Sequence, residues 1–346
     1  MASIFGIFLH AIGGFAAGSF YLPIKRVRDW AWESGWLVLG IAAWIIAPHL
    51  AAALTTPGYF DIISEAPQAA VGYAFLFGLL WGIGGLTFGL AMRYLGISLG
   101  MAVALGLTAA FGTLVPPIFD GTFGTLLTAT SGQISLVGVA LCLVGIAVCG
   151  YAGLQKDRAL AAMPSTASAD EFDLGKGVIV AVVSGLLSAC FAFGLAAGEP
   201  IAAASEAAGT DALYRNNVVL VVILAGGFLT NAAYCVFLNA RKSSYRDYAD
   251  THTPLQSNYL WAAAGGVTWY LQFFFYGMGA TLLGEGLEFA SWTIHMAFII
   301  VFSTLWGLRE GEWAQAGAAA RRTLWTGLAI IIASTVVIGV AGAVGS

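Results

Sequence analysis

The chain has 346 residues, of which 59% are hydrophobic and only 9% charged, against about 25% charged in an ordinary soluble domain. Ten membrane spans of ~20 residues would use roughly 200 residues, which leaves little for a soluble domain. The net charge of −4 gives no reason to expect a nucleic-acid partner.

Apolar stretches predict ten spans near residues 3–22, 35–54, 70–92, 98–118, 133–154, 177–197, 214–238, 258–280, 288–307 and 323–344. No basic residue precedes the first stretch, so it reads as an uncleaved helix rather than a signal peptide. Of the 14 Lys and Arg residues, all but Arg215 fall in alternate gaps. Lys25, Arg26 and Arg28 follow span 1, and Arg93 follows span 3. Lys156, Arg158 and Lys176 lie between spans 5 and 6. Arg241, Lys242 and Arg246 follow span 7, and Arg309, Arg321 and Arg322 lie between spans 9 and 10. Cytoplasmic loops carry such an excess, so these gaps are expected on the cytoplasmic side and both termini outside, in the periplasm.

The polar stretch 155–176 divides the chain into a first unit of five spans, 1–154, and a second, 177–346. Five spans is an odd number, so a repeat between the units must be inverted, a common plan in secondary transporters. A weak repeat is legible. Trp81, Phe88, Gly89 and Gly96 match Trp269, Tyr276, Gly277 and Gly284 at a constant offset of 188, and Gly14 to Phe20 loosely matches Gly185 to Phe191. The expected fold class is an all-α membrane protein with ten transmembrane helices as two inverted five-helix repeats.

Ionisable residues inside a membrane are costly and default to functional candidates. In span 1, Gly6, Gly13, Gly14 and Ala17 share a helical face with His10, which turns the imidazole toward the bundle. Imidazole suits reversible protonation; the bland alternative is a bond to a neighbouring carbonyl. In span 3, Trp81, Gly84, Gly85 and Phe88 share a face. Asn231 in span 7 is a buried amide that binds substrate or bonds across helices. In span 8, Trp269, Gln272 and Tyr276 share a face by i, i+3, i+7 spacing, with Tyr270 beside them. An aromatic wall with one amide suits a neutral, hydroxyl-rich ring, because the amide both donates and accepts; the bland alternative is a packed aromatic helix face. In span 9, Ser291, Trp292 and His295 form a stripe, with Glu288 near the outer end as a proton entry point or an interfacial residue in water. His49 beside Pro48 reads as interfacial.

Other signals are weak or missing. GxxxG spacing at Gly14/Gly18, Gly78/Gly82, Gly85/Gly89 and Gly96/Gly100 allows close helix contact, and with 45 glycines packing is its role. Cys142, Cys149, Cys190 and Cys235 lie in apolar stretches without CxxC spacing, so neither a disulfide nor a metal site is expected. No P-loop motif occurs. No Lys or Arg lies deep in a span, which disfavours phosphorylated or nucleotide-linked cargo. No cofactor, enzymatic activity or obligate protein partner is expected.

With these residues in hand, the sequence resembles the L-rhamnose–proton symporter family of the drug/metabolite transporter superfamily. The resemblance rests on His10 through Tyr21 with Pro23, Trp30-Ala31-Trp32-Glu33, Trp81-Gly82-Ile83-Gly84, Met92-Arg93-Tyr94-Leu95-Gly96, Trp269 through Tyr276, Ser291-Trp292 with His295-Met296, and Glu312-Trp313 ahead of Arg321-Arg322. It covers nearly the whole chain. It implies uptake of a neutral 6-deoxyhexose across a bacterial inner membrane, driven by inward proton flow, with sodium coupling left open. It also implies a central cavity lined by spans 1, 3, 4, 6, 8 and 9, which adds Thr108. The expected substrate-binding residues are Trp81, Thr108, Asn231, Trp269, Tyr270, Gln272, Tyr276 and Trp292. The expected proton-coupling residues are His10, Glu288 and His295. The sequence departs from the family at Gly85 and Thr87, where members carry Asn, at Phe88 for Tyr, and at Ala196 and Glu199 for Asn and Lys. The alternatives are an exchanger of another small metabolite or nucleotide sugar, and a non-transporting sugar-binding membrane sensor.

Overall fold

The computed structural model of the chain describes residues 2–95, 97–161, 173–283 and 288–344. The linker run from Pro164 and the paired Gly96 and Gly284 lie outside the described residues. The described residues form helices and connecting turns, with no strand among them. Ten long helices follow one another: α1 (Ala2–Ser19), α2 (Trp32–Thr55), α3 (Gln68–Leu95), α4 (Ile97–Phe119), α5 (Thr130–Ala161), α6 (Leu174–Ala197), α7 (Asn217–Lys242), α8 (Leu255–Leu283), α9 (Ser291–Arg309) and α10 (Gly317–Val344).

Among the described residues, nine helices are long and apolar enough to cross a membrane, and α8 is not one of these nine. It is long enough, with 29 residues. Its Trp, Tyr, Gln, Asn and Gly residues dilute its hydropathy. The dilution follows from its position, since Tyr270, Gln272, Phe273 and Tyr276 are buried among other helices rather than facing hydrocarbon.

Packing crosses between the two halves of the chain. Helix α1 lies against α8 and α9, whereas α6 lies against α3 and α4. Small residues make both contacts close. A Cβ at Gly14 would run into the backbone of α9 at Phe298 and Ile299, and one at Gly185 would meet Leu107 and the carbonyl of Ala104 on α4. Helix α5 packs along α10, and α7 against α2 and α3. Helix α2 contains one wide π-turn, Ile41–Ile46, just ahead of Pro48. Proline offers no N–H to a regular helical ladder, and such bulges interrupt helices at special positions. The turn carries Trp44, which is buried against Trp36 and Trp81.

Polar ties hold the bundle at both ends. At the basic end, the buried Glu33 carboxylate accepts from Lys242 Nζ at 3.1 Å and Ser244 Oγ at 2.7 Å. Ser34 Oγ donates to Asp247 at 2.7 Å, and Asn258 Nδ2 to the Arg28 carbonyl at 2.8 Å. At the other end, Asn217 Nδ2 donates to Thr55 Oγ1 at 3.0 Å, and the hydroxyls of Thr56, Ser205 and Thr210 meet in a buried triangle. Arg215, the one cation outside the charge alternation, pairs with Glu199 and Glu206.

Candidate functional site

The centre of the bundle is where α1, α8 and α9 converge. Helix α1 brings His10, which is fully buried, and the glycines of its face let it approach. Helix α9 brings Ser291, whose Oγ lies 3.0 Å from His10 Nε2. The His10 ring centroid is 5.3 Å from that of Tyr276 and 6.0 Å from that of His295, and Tyr276 and His295 are 5.0 Å apart. Three titratable rings and a serine hydroxyl therefore share one small buried volume.

A belt of aromatic rings runs from this cluster. Trp292 packs on Tyr276 at 5.6 Å and on Phe191 at 5.7 Å. Phe191 stacks on Phe273 at 4.5 Å and meets Trp81 at 5.4 Å. At the far end Trp269 receives the edge of Phe20 at 4.1 Å. Aromatic contacts of this kind contribute ~0.5–1.5 kcal/mol each beyond buried area, so the belt is a stiff wall. Trp292 is further held by its Nε1, which donates to the Thr108 carbonyl at 3.0 Å. Gly112 makes that fit possible, since a Cβ there would overlap the indole. One turn on, Thr113 and Thr293 hydroxyls bond at 2.7 Å, which closes the seam between α4 and α9.

Several buried donors and acceptors in these helices have no hydrogen-bond partner among the described residues: His10 Nδ1, both ring nitrogens of His295, Gln272 Nε2 and Trp269 Nε1. A buried polar group left unpaired costs ~1–3 kcal/mol, and such groups are rare in native interiors. Their concentration here is the chemical signature of the site.

The site residues expected from sequence divide into three groups. His10, His295, Tyr276, Trp292 and Thr108 meet in one neighbourhood. Trp81, Trp269 and Gln272 extend it along the belt, so the expected α8 face of Trp269, Gln272 and Tyr276 does point inward. Asn231 and Tyr270 stand apart. Asn231 Oδ1 accepts from Trp36 Nε1 at 3.1 Å, and its Nδ2 donates to Gly227 O at 3.0 Å, so its amide ties α7 to α2 within the bundle. Tyr270 turns ~100° from Trp269 around the helix and packs on Phe274 at 6.3 Å. Glu288 does not open α9, as the expected span had it. It begins a separate 3-10 turn, Glu288–Ala290, and its side chain lies outside the described residues. The Thr108 hydroxyl donates to its own helix at Ala104 O, 2.8 Å away, so this side chain offers only acceptor capacity. Of the positions where the sequence departs from the family, Thr87 Oγ1 is 3.0 Å from Ile83 O and Gly84 O, while Gly85 borders open space.

Sequence reasoning missed Phe191, Phe273, Trp36, Trp44 and the Thr113–Thr293 pair. A signal for Phe191 existed in the loose match that pairs it with Phe20. None existed for Trp44, because a π-turn shifts the helical register.

A multi-pass helical bundle with a buried cluster of polar and aromatic side chains is an architecture that membrane transport proteins use. The relatives sharpen that class. The chain belongs to the family described as L-rhamnose-proton symport protein (RhaT), whose profile matches residues 1–344. It is 38% identical over 339 residues to an L-rhamnose-proton symporter of Mannheimia succiniciproducens, covering 97% of each chain. Symporters of the same description from Cronobacter sakazakii and Escherichia coli are 38% identical over 337 residues (96% of each chain) and 37% identical over 338 residues (97% of each).

Proposed function

We propose that this protein imports L-rhamnose, or a closely related neutral 6-deoxyhexose, together with a proton, by alternating access across a bacterial inner membrane. The observation that carries this reading is the buried His10–Ser291–Tyr276–His295 cluster at the end of an aromatic belt rich in unpartnered polar groups. Trp81, Trp269 and Tyr276 cover the apolar face of the sugar ring. Gln272 Nε2 and Trp269 Nε1 donate to its hydroxyls, with Trp292 walling the site.

His10 carries the coupled proton. Neutral imidazole has one N–H, and the protonated ring has two. With Nε2 engaged by Ser291, protonation leaves Nδ1–H in need of an acceptor, and a sugar hydroxyl supplies it. Proton and sugar then stabilise each other, and by linkage the gain is reciprocal. A second proton on His295, with ring centroids 6.0 Å apart, would meet repulsion of about 3 kcal/mol at an effective dielectric of about 20. That repulsion favours a single proton on the His10–His295 pair.

The architecture that goes with this reading is ten spans in two inverted repeats, 1–154 and 177–346, with the basic gaps cytoplasmic and both termini periplasmic. The exchanged packing supports it: α1 lies on α8 and α9 as α6 lies on α3 and α4. Ring pairs support it too, since Phe20 meets Trp269 and their repeat partners Phe191 and Trp81 meet each other.

The decisive experiment is the pH of a lightly buffered suspension of cells expressing the protein. Addition of L-rhamnose should alkalinise the medium, and the His10→Ala variant should give sugar entry without the pH change. Uptake without alkalinisation in the parent protein would replace proton coupling by sodium coupling or facilitation.

A further inference from the structure

Glu312 and Trp313, two of the residues that carry the family resemblance, take no part in the central site. They border a cavity of about 150 Å³ at the basic end of the bundle, between α4, α5, α9 and α10. A cavity of that size holds a six-membered ring. Its lining includes the apolar Leu105, Ile146 and Ile300 and the polar Lys156, Ser303 and Glu312. The Lys156 ammonium sits 4.8 Å above the Trp313 ring.

Two features tie this cavity to the path of the cargo. It is lined by α4 and α9, the same two helices that the Trp292–Thr108 and Thr113–Thr293 bonds join nearer the other end. Ser303 follows His295 by eight residues on α9, or ~12 Å along the axis. The chemistry also selects among ligands. A cation and a carboxylate share the lining, so an anionic lipid headgroup would meet Glu312 as well as Lys156, and an acyl chain would leave both charges unserved. A neutral polyol uses both, accepting from the ammonium and donating to the carboxylate, with an indole beside its ring.

We infer that this cavity is a second, cytoplasmic binding site for a neutral monosaccharide, where the sugar pauses between the central site and release. The inference rests on the proposed sugar symport. Cys149 provides its reporter. It lines the cavity and is partly exposed, whereas Cys142, Cys190 and Cys235 are buried.

The test is the rate at which a charged, membrane-impermeant thiol reagent modifies Cys149 in inside-out vesicles, with L-rhamnose titrated in. Sugar should slow the labelling several-fold. Glu312→Gln should raise the sugar concentration needed for protection several-fold. Gln272→Leu, which weakens the central site, should lower transport and leave the protection in place. Protection that disappears with Gln272→Leu would mean the signal is relayed from the central site, and the second site would be overturned. Normal sugar-driven alkalinisation with Cys149 unprotected would overturn the second site alone. Protection by anionic phospholipid and not by sugar would overturn it in favour of a lipid site. A parent protein that neither alkalinises the medium nor protects Cys149 with any neutral sugar would remove the symport reading and the second site together.

Discussion

The three-helix group α1–α8–α9 and the group α6–α3–α4 are built alike and equipped differently. In each, a glycine-bearing helix lies in close contact with two helices from the other half of the chain. In each, a phenylalanine meets a tryptophan, Phe20 with Trp269 at 4.1 Å and Phe191 with Trp81 at 5.4 Å. The polar groups are not shared. At the repeat offsets, His10 faces Ala181, Gln272 faces Gly84 and Tyr276 faces Phe88. Shape is thus duplicated while chemistry is not. On the proposed inverted repeat, two similar scaffolds would rock between two openings, while the proposed proton and sugar would need only one set of groups. The α1–α8–α9 group carries the buried imidazoles and the glutamine, and the other carries apolar rings such as Phe191.

The comparison breaks most readily at His10. His10→Ala should abolish sugar accumulation against a gradient while leaving downhill equilibration, read from labelled sugar uptake with and without an imposed pH gradient. Installing the ring on the other group by Ala181→His in that background should not restore accumulation. A rescued double variant would show that the two groups are chemically interchangeable.

A smaller loss is expected at Gln272. Replacing it by Leu removes a buried donor to the sugar, worth ~1–3 kcal/mol, so binding of L-rhamnose to purified protein should weaken about tenfold to hundredfold. Unchanged affinity would move the sugar away from α8.

Gly112→Ala tests the wall. The added methyl presses on the Trp292 indole, and overpacking of this kind costs ~1–3 kcal/mol. The midpoint of thermal unfolding in detergent should fall, and added sugar should recover less of it than in the parent protein. An unchanged midpoint would mean that Trp292 moves freely.

Asn231→Leu sharpens the division between site and frame. Its amide serves Trp36 and Gly227, and interhelical bonds in membranes average ~0.6 kcal/mol. Stability should fall slightly and the KM for sugar should stay put. A raised KM would return Asn231 to the substrate list. The smallest effect is expected for Lys25→Ala, because the Lys25–Glu310 pair at 3.3 Å is exposed and such pairs contribute at most about 1 kcal/mol. A large loss of transport there would identify that pair as part of the closure at the basic end.

Much of the site was legible in the chain for a definite reason. A histidine among glycines, or an aromatic face with one glutamine, is conspicuous in hydrocarbon, where polar side chains must have a purpose. Helical periodicity then fixes which residues share a face, and on the Trp269–Gln272–Tyr276 face Gln272 and Tyr276 are buried and Trp269 partly so. The same reasoning could not tell a polar group that binds cargo from one already engaged. Asn231 and Gln272 are both buried amides in apolar helices. Only the neighbouring helices distinguish them, since Trp36 and Gly227 satisfy the first and, among the described residues, nothing hydrogen-bonds the Nε2 of the second.

The sequence by itself determined that this is a helical membrane protein, where its long helices lie, how its basic residues sort between loops, and which side chains are too polar to sit idle in a bilayer. These are local properties, written in composition and in a period of 3.6 residues. The tertiary structure decided which helices meet. His10 and Ser291 are 281 positions apart in the chain and 3.0 Å apart in space. No periodicity within one helix specifies that contact. It depends on how close a glycine face lets two helices approach and on which rings fill the space between them.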